Sequence, residues 1–349
     1  MNGDITLPRQ IRDILSFCLN PSLDIGLLIT DLKLGRTNRY ESLRTDAGGK
    51  GLNVARLLCG HKFDCAVFMP IPEHCHDLYS YLEREQCSAL TFEVPGELRI
   101  NIKINEHLES GEFQSTGING TGEHIGASVA NDLFLMALTA ASGYGVVVQS
   151  GSLLPGIPEN IYEKISEEIY QAQGINVLDS SGEPMLSGLR GHVDIYKPNL
   201  DEFRQLTRAP CDNREWIAKT AAEFCRNSKV SLIVVSLGAE GAILTNGQTV
   251  HSARIPDFEP AGYTGSSSIL SLTGAGDAMT AMLAAVASAT PLEQSFDTYL
   301  RTVDPLWLTR LVMSAAQAAI RTPGTKMPTW EQITEWIPTI EVEELSIDF

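Results

Sequence analysis

The chain has 349 residues, 43% of them hydrophobic, and this length allows one large domain with a small appendage. Its 43 acidic against 26 basic residues give a formal charge of −17, which argues against nucleic-acid and anionic-membrane partners, since both need a basic surface. No apolar run approaches the roughly 18 residues of a transmembrane helix, and the 7 cysteines contain no C-x-x-C pair, so a cytoplasmic protein in a reducing compartment is expected.

In chain order, residues 1–15 precede the domain, and the first 13 of them mix Asp4, Arg9, Arg12 and Asp13 without an apolar stretch. They read as an extension rather than a signal peptide, with a single domain from residue 16 onward. Residues 25–45 and 98–116 alternate apolar and polar positions, as in Arg99-Ile100-Asn101-Ile102-Lys103-Ile104, the pattern of half-exposed strands. Glu73-His74-Cys75-His76 is expected to bind no metal, because adjacent side chains point in different directions. Strands are predicted at Tyr144–Gln149, Ile175–Asp179, Val193–Lys197 and Leu232–Ser236, with helices at Pro158–Gln173, Asn213–Asn227, Gly274–Ala289 and Pro305–Arg321. This alternation predicts an α/β fold with a mostly parallel sheet covered by helices on both faces. The loops at Ser150-Gly151, Asp179–Gly182, Lys197–Asn199 and Ser236–Gly238 then follow strands directly and line one crevice at their carboxyl ends. Residues 259–271 form a polar insertion before the last glycine turn.

Two glycine turns carry the chemistry. Gly274-Ala275-Gly276-Asp277 opens a helix whose first amides lack internal partners, a setting that holds an anion. Asp277 in the first turn is the candidate general base for an attacking hydroxyl, with the amides of Ala275 and Gly276 holding the charge of a transferring phosphoryl group. A helix start lowers a carboxyl pKa, so Asp277 is expected to be a weak base, which suffices for a loose phosphoryl-transfer transition state. Earlier, Gly48 and Gly49 allow close backbone approach to a polyhydroxylated ligand, and Asn53 offers both a donor and an acceptor to hydroxyls. Neither turn is a G-x-x-x-x-G-K-[ST] loop or a G-x-G-x-x-G fingerprint. Asn199 and Glu202, one helical turn apart, could hold Mg²⁺ through water or simply form a capping box. Lys197, just before a proline, could reach nucleotide phosphates.

Gly48-Gly49-Lys50-Gly51-Leu52-Asn53-Val54-Ala55-Arg56 and Gly274-Ala275-Gly276-Asp277 resemble the two signatures of the ribokinase/PfkB family of carbohydrate kinases. Leu19-Asn20-Pro21-Ser22-Leu23-Asp24, Leu32-Lys33-Leu34, Asn38-Arg39, Ser150-Gly151-Ser152-Leu153, Asp179-Ser180-Ser181-Gly182, Lys197-Pro198-Asn199 and Ser236-Leu237-Gly238 follow in family order. The opening is most similar to the phosphohexose branch, that of 1-phosphofructokinase and tagatose-6-phosphate kinase. The resemblance implies a ribokinase-like three-layer α/β/α fold, with residues 25–45 and 98–116 as a small β-sheet lid, and ATP with Mg²⁺ as donor and cofactor. It implies that Asp24, Gly48, Gly49, Lys50 and Asn53 bind the sugar, that Lys197, Asn199, Ser236, Gly238 and Gly241 face the nucleotide, and that Ala316–Pro323 borders adenine. On the lid segments Lys33, Arg39, Arg99 and Lys103 form a basic quartet suited to a phosphate already on the sugar. The implied substrate is therefore a hexose phosphate: fructose 1-phosphate, tagatose 6-phosphate or fructose 6-phosphate. A kinase of an unphosphorylated sugar or nucleoside, or a silenced sugar-binding protein on the same fold, are the alternatives. Exposed lid strands also lead us to expect a homodimer formed through the lid. The chain departs from the family at Met69–Glu73, where a glycine-rich turn is usual, and at Gln114–Gly117, where a Thr-Glu pair is usual.

Overall fold

Successive residues of the first strand, β1 (Ile14–Cys18), enter different apolar clusters. Ile14 and Cys18 pack into one, Leu15 and Phe17 into the other, and all four are buried. Two-sided burial of this kind marks a strand between two helical layers. The computed structural model describes residues 9–108, 113–208, 213–254, 274–322 and 326–347, so the polar insertion at 259–271 lies outside the described residues.

The other strands are β2 (Ser22–Thr30), β3 (Ser42–Gly48), β4 (Cys65–Pro72), β5 (Ser88–Val94), β6 (Arg99–His107), β7 (Phe113–Asn119), β8 (Val146–Ser150), β9 (Ile175–Asp179), β10 (Ile195–Tyr196), β11 (Leu232–Ser236), β12 (Ala242–Thr245), β13 (Val250–Arg254) and β14 (Glu341–Glu344). The helices are α1 (Lys50–Gly60), α2 (His76–Arg84), α3 (Ala127–Ala141), α4 (Ile161–Gln171), α5 (Gly182–Arg190), α6 (Leu200–Thr207), α7 (Arg214–Asn227), α8 (Ala275–Ser288), α9 (Phe296–Leu300), α10 (Pro305–Ile320) and α11 (Trp330–Trp336).

The main sheet runs β14-β13-β12-β11-β10-β9-β8-β1-β4-β5 among the described residues. From β11 to β5 every neighbouring pair is parallel, whereas β12, β13 and β14 extend one edge as antiparallel strands. Helices α1, α8 and α10 pack on one face, and α3, α4, α5 and α7 on the other. This is the expected three-layer α/β/α arrangement.

Two local differences from the sequence reading have simple causes. Met69–Pro72 is not a loop but the second half of β4. Beyond Phe68 this strand has only β5 beside it, so Pro70 and Pro72 cost no hydrogen bond to β1. The body of the domain also begins before residue 16. The amides of Ile11 and Arg12 both donate to Ser288 O at 2.8 Å, and the buried Arg12 guanidinium reaches the carbonyls of Thr290 at 3.0 Å, Gln173 at 3.1 Å and Pro291 at 3.0 Å.

The small sheet runs β3-β2-β6-β7, with β2 and β6 parallel and the other pairs antiparallel. It covers slightly more of the chain than 25–45 and 98–116. Its register sets Ile25 beside Thr45 and Ile102, and Ile102 beside Ile118. One residue away, Asp24 lies beside Asp46 and Asn101, and Asn101 beside Asn119. Because side chains alternate across a strand, one face of this lid is apolar and the other polar.

Candidate active site

The polar face of the lid and the carboxyl ends of the central strands enclose a cavity of 520 Å³. Asp24, Arg44, Asp46, Arg99, Asn101, Lys103, Asn105 and Asn119 line it from the lid, and Gly49, Lys50, Asn53, Ser150, Gly151 and Asp277 line it from the body.

At the lid end, the Asp24 carboxylate accepts hydrogen bonds from Ser22 Oγ at 2.7 Å and Asn101 Nδ2 at 2.8 Å, both on Oδ1. It rests against Gly48, where a Cβ would overlap it, and the glycine at 48 is what makes room. The next residue, Gly49, has φ 125°, a conformation that favours glycine, and caps α1.

At the body end, Asp277 is buried in the first turn of α8, behind Gly274 at φ 95°. Its Oδ2 accepts from Asn53 Nδ2 at 2.7 Å. Nearby, Asp179 at the end of β9 is fully buried between two ammonium groups, Lys50 Nζ at 3.1 Å and Lys197 Nζ at 3.3 Å, and accepts from Thr280 Oγ1 at 2.8 Å. Lys197 also stands beside Gly276, its Nζ 3.3 Å from where a Cβ there would lie, so a cation faces the opening amides of α8.

These groups set one another's ionisation. Burial pushes the Asp179 carboxyl up, but Lys197, Lys50 and the Thr280 hydroxyl outweigh it and hold it below the usual range. Lys50 is raised in turn, chiefly by Asp179. Asp277 goes the other way. Burial and the Asp179 charge prevail over Lys50, Asn53 and Lys197, so its carboxyl lies above the usual range. The lowering expected from the helix start is corrected here: Asp277 is buried, and desolvation, which disfavours the charged carboxylate, is the largest influence on it.

The basic quartet is divided. Arg99 and Lys103 line the cavity, and burial lowers the pKa of both. Arg99 spends part of its fork on backbone carbonyls of Asn20 at 2.7 Å and Gly120 at 3.2 Å, with Nε shared between Asn20 and Pro21. Lys33 instead pairs with Asp31, and Arg39 is exposed; neither lines the cavity. Arg44, unremarked in the sequence, takes a place on the wall, paired with Asp46 at 2.6 Å. Alternation with Lys103 could also have identified Asn101.

Past the end of β10, Asn199 and Glu202 form a capping box at the start of α6, each accepting from the other's backbone amide at 2.8 Å. Asn199 bridges to Ser236, whose Oγ donates to Pro198 O at 3.4 Å. Gly238 has open space beside it at φ 61°. Gly241 at φ 98° is a packing requirement, since a Cβ there would overlap Ala253 O. Ala316 and Gln317 are buried near the end of α10, and Pro323 lies outside the described residues.

A lidded crevice above a parallel sheet, with a carboxylate at a glycine-opened helix start, is the build of a ribokinase-like phosphotransferase. Residues 24–301 match the family described as pfkB family carbohydrate kinase, and the chain belongs to that family. It is similar to a 1-phosphofructokinase of Xanthomonas campestris, at 32% identity over 79% of this chain and 85% of that protein. It is also similar to a tagatose-6-phosphate kinase of Staphylococcus epidermidis, at 30% identity over 72% and 81%. Among solved structures, phosphofructokinase-2 of Escherichia coli in complex with substrates and products superposes with a TM-score of 0.73 at 25% identity, over 94% of this chain and 99% of that one. The protein is thus a carbohydrate kinase, a phosphotransferase with an alcohol acceptor.

Proposed function

We propose that the chain transfers the γ-phosphoryl group of ATP to a hydroxyl of a hexose phosphate, fructose 1-phosphate, tagatose 6-phosphate or fructose 6-phosphate, giving a bisphosphate. The carrying observation is the cavity: Asp24 at one end suits sugar hydroxyls, Asp277 at the other suits a reacting hydroxyl, and Arg99 and Lys103 share the wall. The names of the two curated relatives support the phosphosugar. With Oδ2 tied to Asn53, the other oxygen of Asp277 takes the proton of the attacking hydroxyl. Its raised pKa makes it a better acceptor than an ordinary aspartate. The amides of Ala275 and Gly276, with Lys197 beside them, offset the charge of the transferring group.

Lys197, Asn199, Ser236 and Gly238 face the nucleotide in this reading. Asn199 and Glu202 would hold hydrated Mg²⁺, since the capping box engages only one carboxylate oxygen of Glu202. Among the described residues no three His, Cys, Asp or Glu side chains form a metal cage, which suits an ion held mainly by water and phosphate. When bound, the metal neutralises charge on the nucleotide phosphates. The apolar lid face exposes Leu43, Ile100 and Ile118, and a second copy's lid is the partner that we assign to it. Among the described residues no helix is long and apolar enough to cross a membrane.

The position of Lys33 and Arg39 outside the cavity favours the second reading, a kinase of an unphosphorylated sugar. ADP release measured over a panel of free and phosphorylated sugars separates the two. The hexose phosphates are expected to be preferred, and Arg99→Ala and Lys103→Met should each weaken them by about 1.5–3 kcal/mol while hardly altering free sugars. Preference for a free sugar, or equal weakening of both classes, would reject the phosphosugar.

A further inference from the structure

Arg56, on α1, is only 5% exposed although it is an arginine. It stands three residues after Asn53, so the two share a helix face. Its NH1 donates to Asn53 Oδ1 at 2.8 Å and its NH2 to Ala47 O at 3.1 Å, and its Nε lies 3.3 Å from Glu85 at the end of α2. A buried charge is costly unless its partners are well placed, and these three come from three elements.

The contact with Asn53 has a directional consequence. A guanidinium only donates, and it stays protonated throughout the working pH range. The carbonyl end of the Asn53 amide must therefore face Arg56, which leaves the NH₂ end for Asp277 Oδ2 at 2.7 Å. An unrestrained amide could turn over and set its oxygen against the carboxylate. The same guanidinium, through Ala47 O, also anchors the residue just before the Gly48-Gly49 turn that seats Asp24.

We infer that Arg56 is a positioning residue for phosphoryl transfer: it fixes the Asn53 amide as a donor and so holds Asp277 with one oxygen tied and the other presented to the acceptor hydroxyl. This rests on the reading of Asp277 as the base. Arg56 touches no substrate; it acts through Asn53.

The test is a pH–rate profile of the full-length enzyme carrying Arg56→Lys or Arg56→Met. Loss of the donated hydrogen bond raises the Asp277 pKa further, so the acidic limb of kcat should move to higher pH. At neutral pH kcat should fall about 10- to 100-fold, with the nucleotide KM within about twofold. In an Asn53→Ala background the same substitutions should add almost nothing, because the route through the amide has been removed. A merely structural arginine would lower thermal stability in both backgrounds and leave the limb where it was. A folded Arg56→Met enzyme with the wild-type limb and kcat, or losses that add fully to Asn53→Ala, would overturn the inference. If Arg56→Met does not fold, Glu85→Gln reads the same chain and should move the limb in the same direction by a smaller amount; an unmoved limb there also overturns it. Asp277→Asn separates the two levels. More than a tenth of wild-type activity in that variant rejects the base itself and the inference with it, whereas an inactive Asp277→Asn beside wild-type-like Arg56 variants rejects the inference alone.

Discussion

At the scale of single residues, two buried carboxylates in one cluster are driven apart in pKa. Asp179 is held down by Lys197 and Lys50 against the cost of its burial, and Asp277 is pushed up by burial with Asp179 as neighbour. Opposed shifts of this kind separate a charge-holding group from a proton-accepting one. As the proposed base, Asp277 must be ionised to accept a proton, so activity is expected to be lost as pH falls through its pKa. The acidic limb of kcat should therefore lie above the ordinary aspartate value of about 3.9, and a limb at or below that value would contradict the raised carboxyl. Asp277→Asn should lower kcat by about 10²–10⁴ with nucleotide affinity little changed, as single-turnover rates and nucleotide titration would reveal. Asp277 and its glycines were legible in the sequence because a helix start is a local pattern. The role of Asp179 was not, since its partner Lys50 is 129 residues away and only the sheet brings them together. Nor could the sign of the Asp277 shift be read, because burial is a property of the fold.

At the scale of elements, the glycine turn before α1 makes two different demands. Gly49 needs its positive φ, whereas Gly48 needs only the space that the Asp24 carboxylate fills. Gly48→Ala should thus leave the fold intact and displace Asp24. The sugar KM should rise at least about tenfold, the loss of one hydrogen bond to a charged group, with nucleotide KM unchanged. Unaltered sugar kinetics would mean that Asp24 does not grip the substrate. Period-two alternation revealed the lid strands, and the helix-length apolar patterns revealed α4, α7, α8 and α10 within a few residues. The antiparallel edge β12–β14 escaped notice because β12 is only four residues long and β13 and β14 mix apolar with polar and charged residues instead of forming an apolar run. The proline-containing half of β4 escaped because its tolerance depends on which neighbour is missing.

At the scale of the whole molecule, Arg12 ties the start of the domain to loops that lie far along the chain. Its guanidinium donates to carbonyls of Gln173, Thr290 and Pro291. Arg12→Ala leaves several of these acceptors without a partner, and should cost about 2–4 kcal/mol of stability. Denaturant unfolding would measure this, with kcat per folded molecule preserved; an unchanged midpoint would make the contacts incidental. The lid shows a different long-range dependence. Its two faces differ in kind, and they are kept apart only by the parity of residue positions along β2, β3, β6 and β7. Inserting or deleting one residue within any of these strands would exchange the faces beyond that point, turning isoleucines toward the cavity and Asp24, Asn101 or Lys103 toward the outside. A change of two residues would preserve the faces and only shift the pairing. Length variation among functional descendants of this chain should therefore collect in the lid turns, and where it enters a strand it should come in even steps.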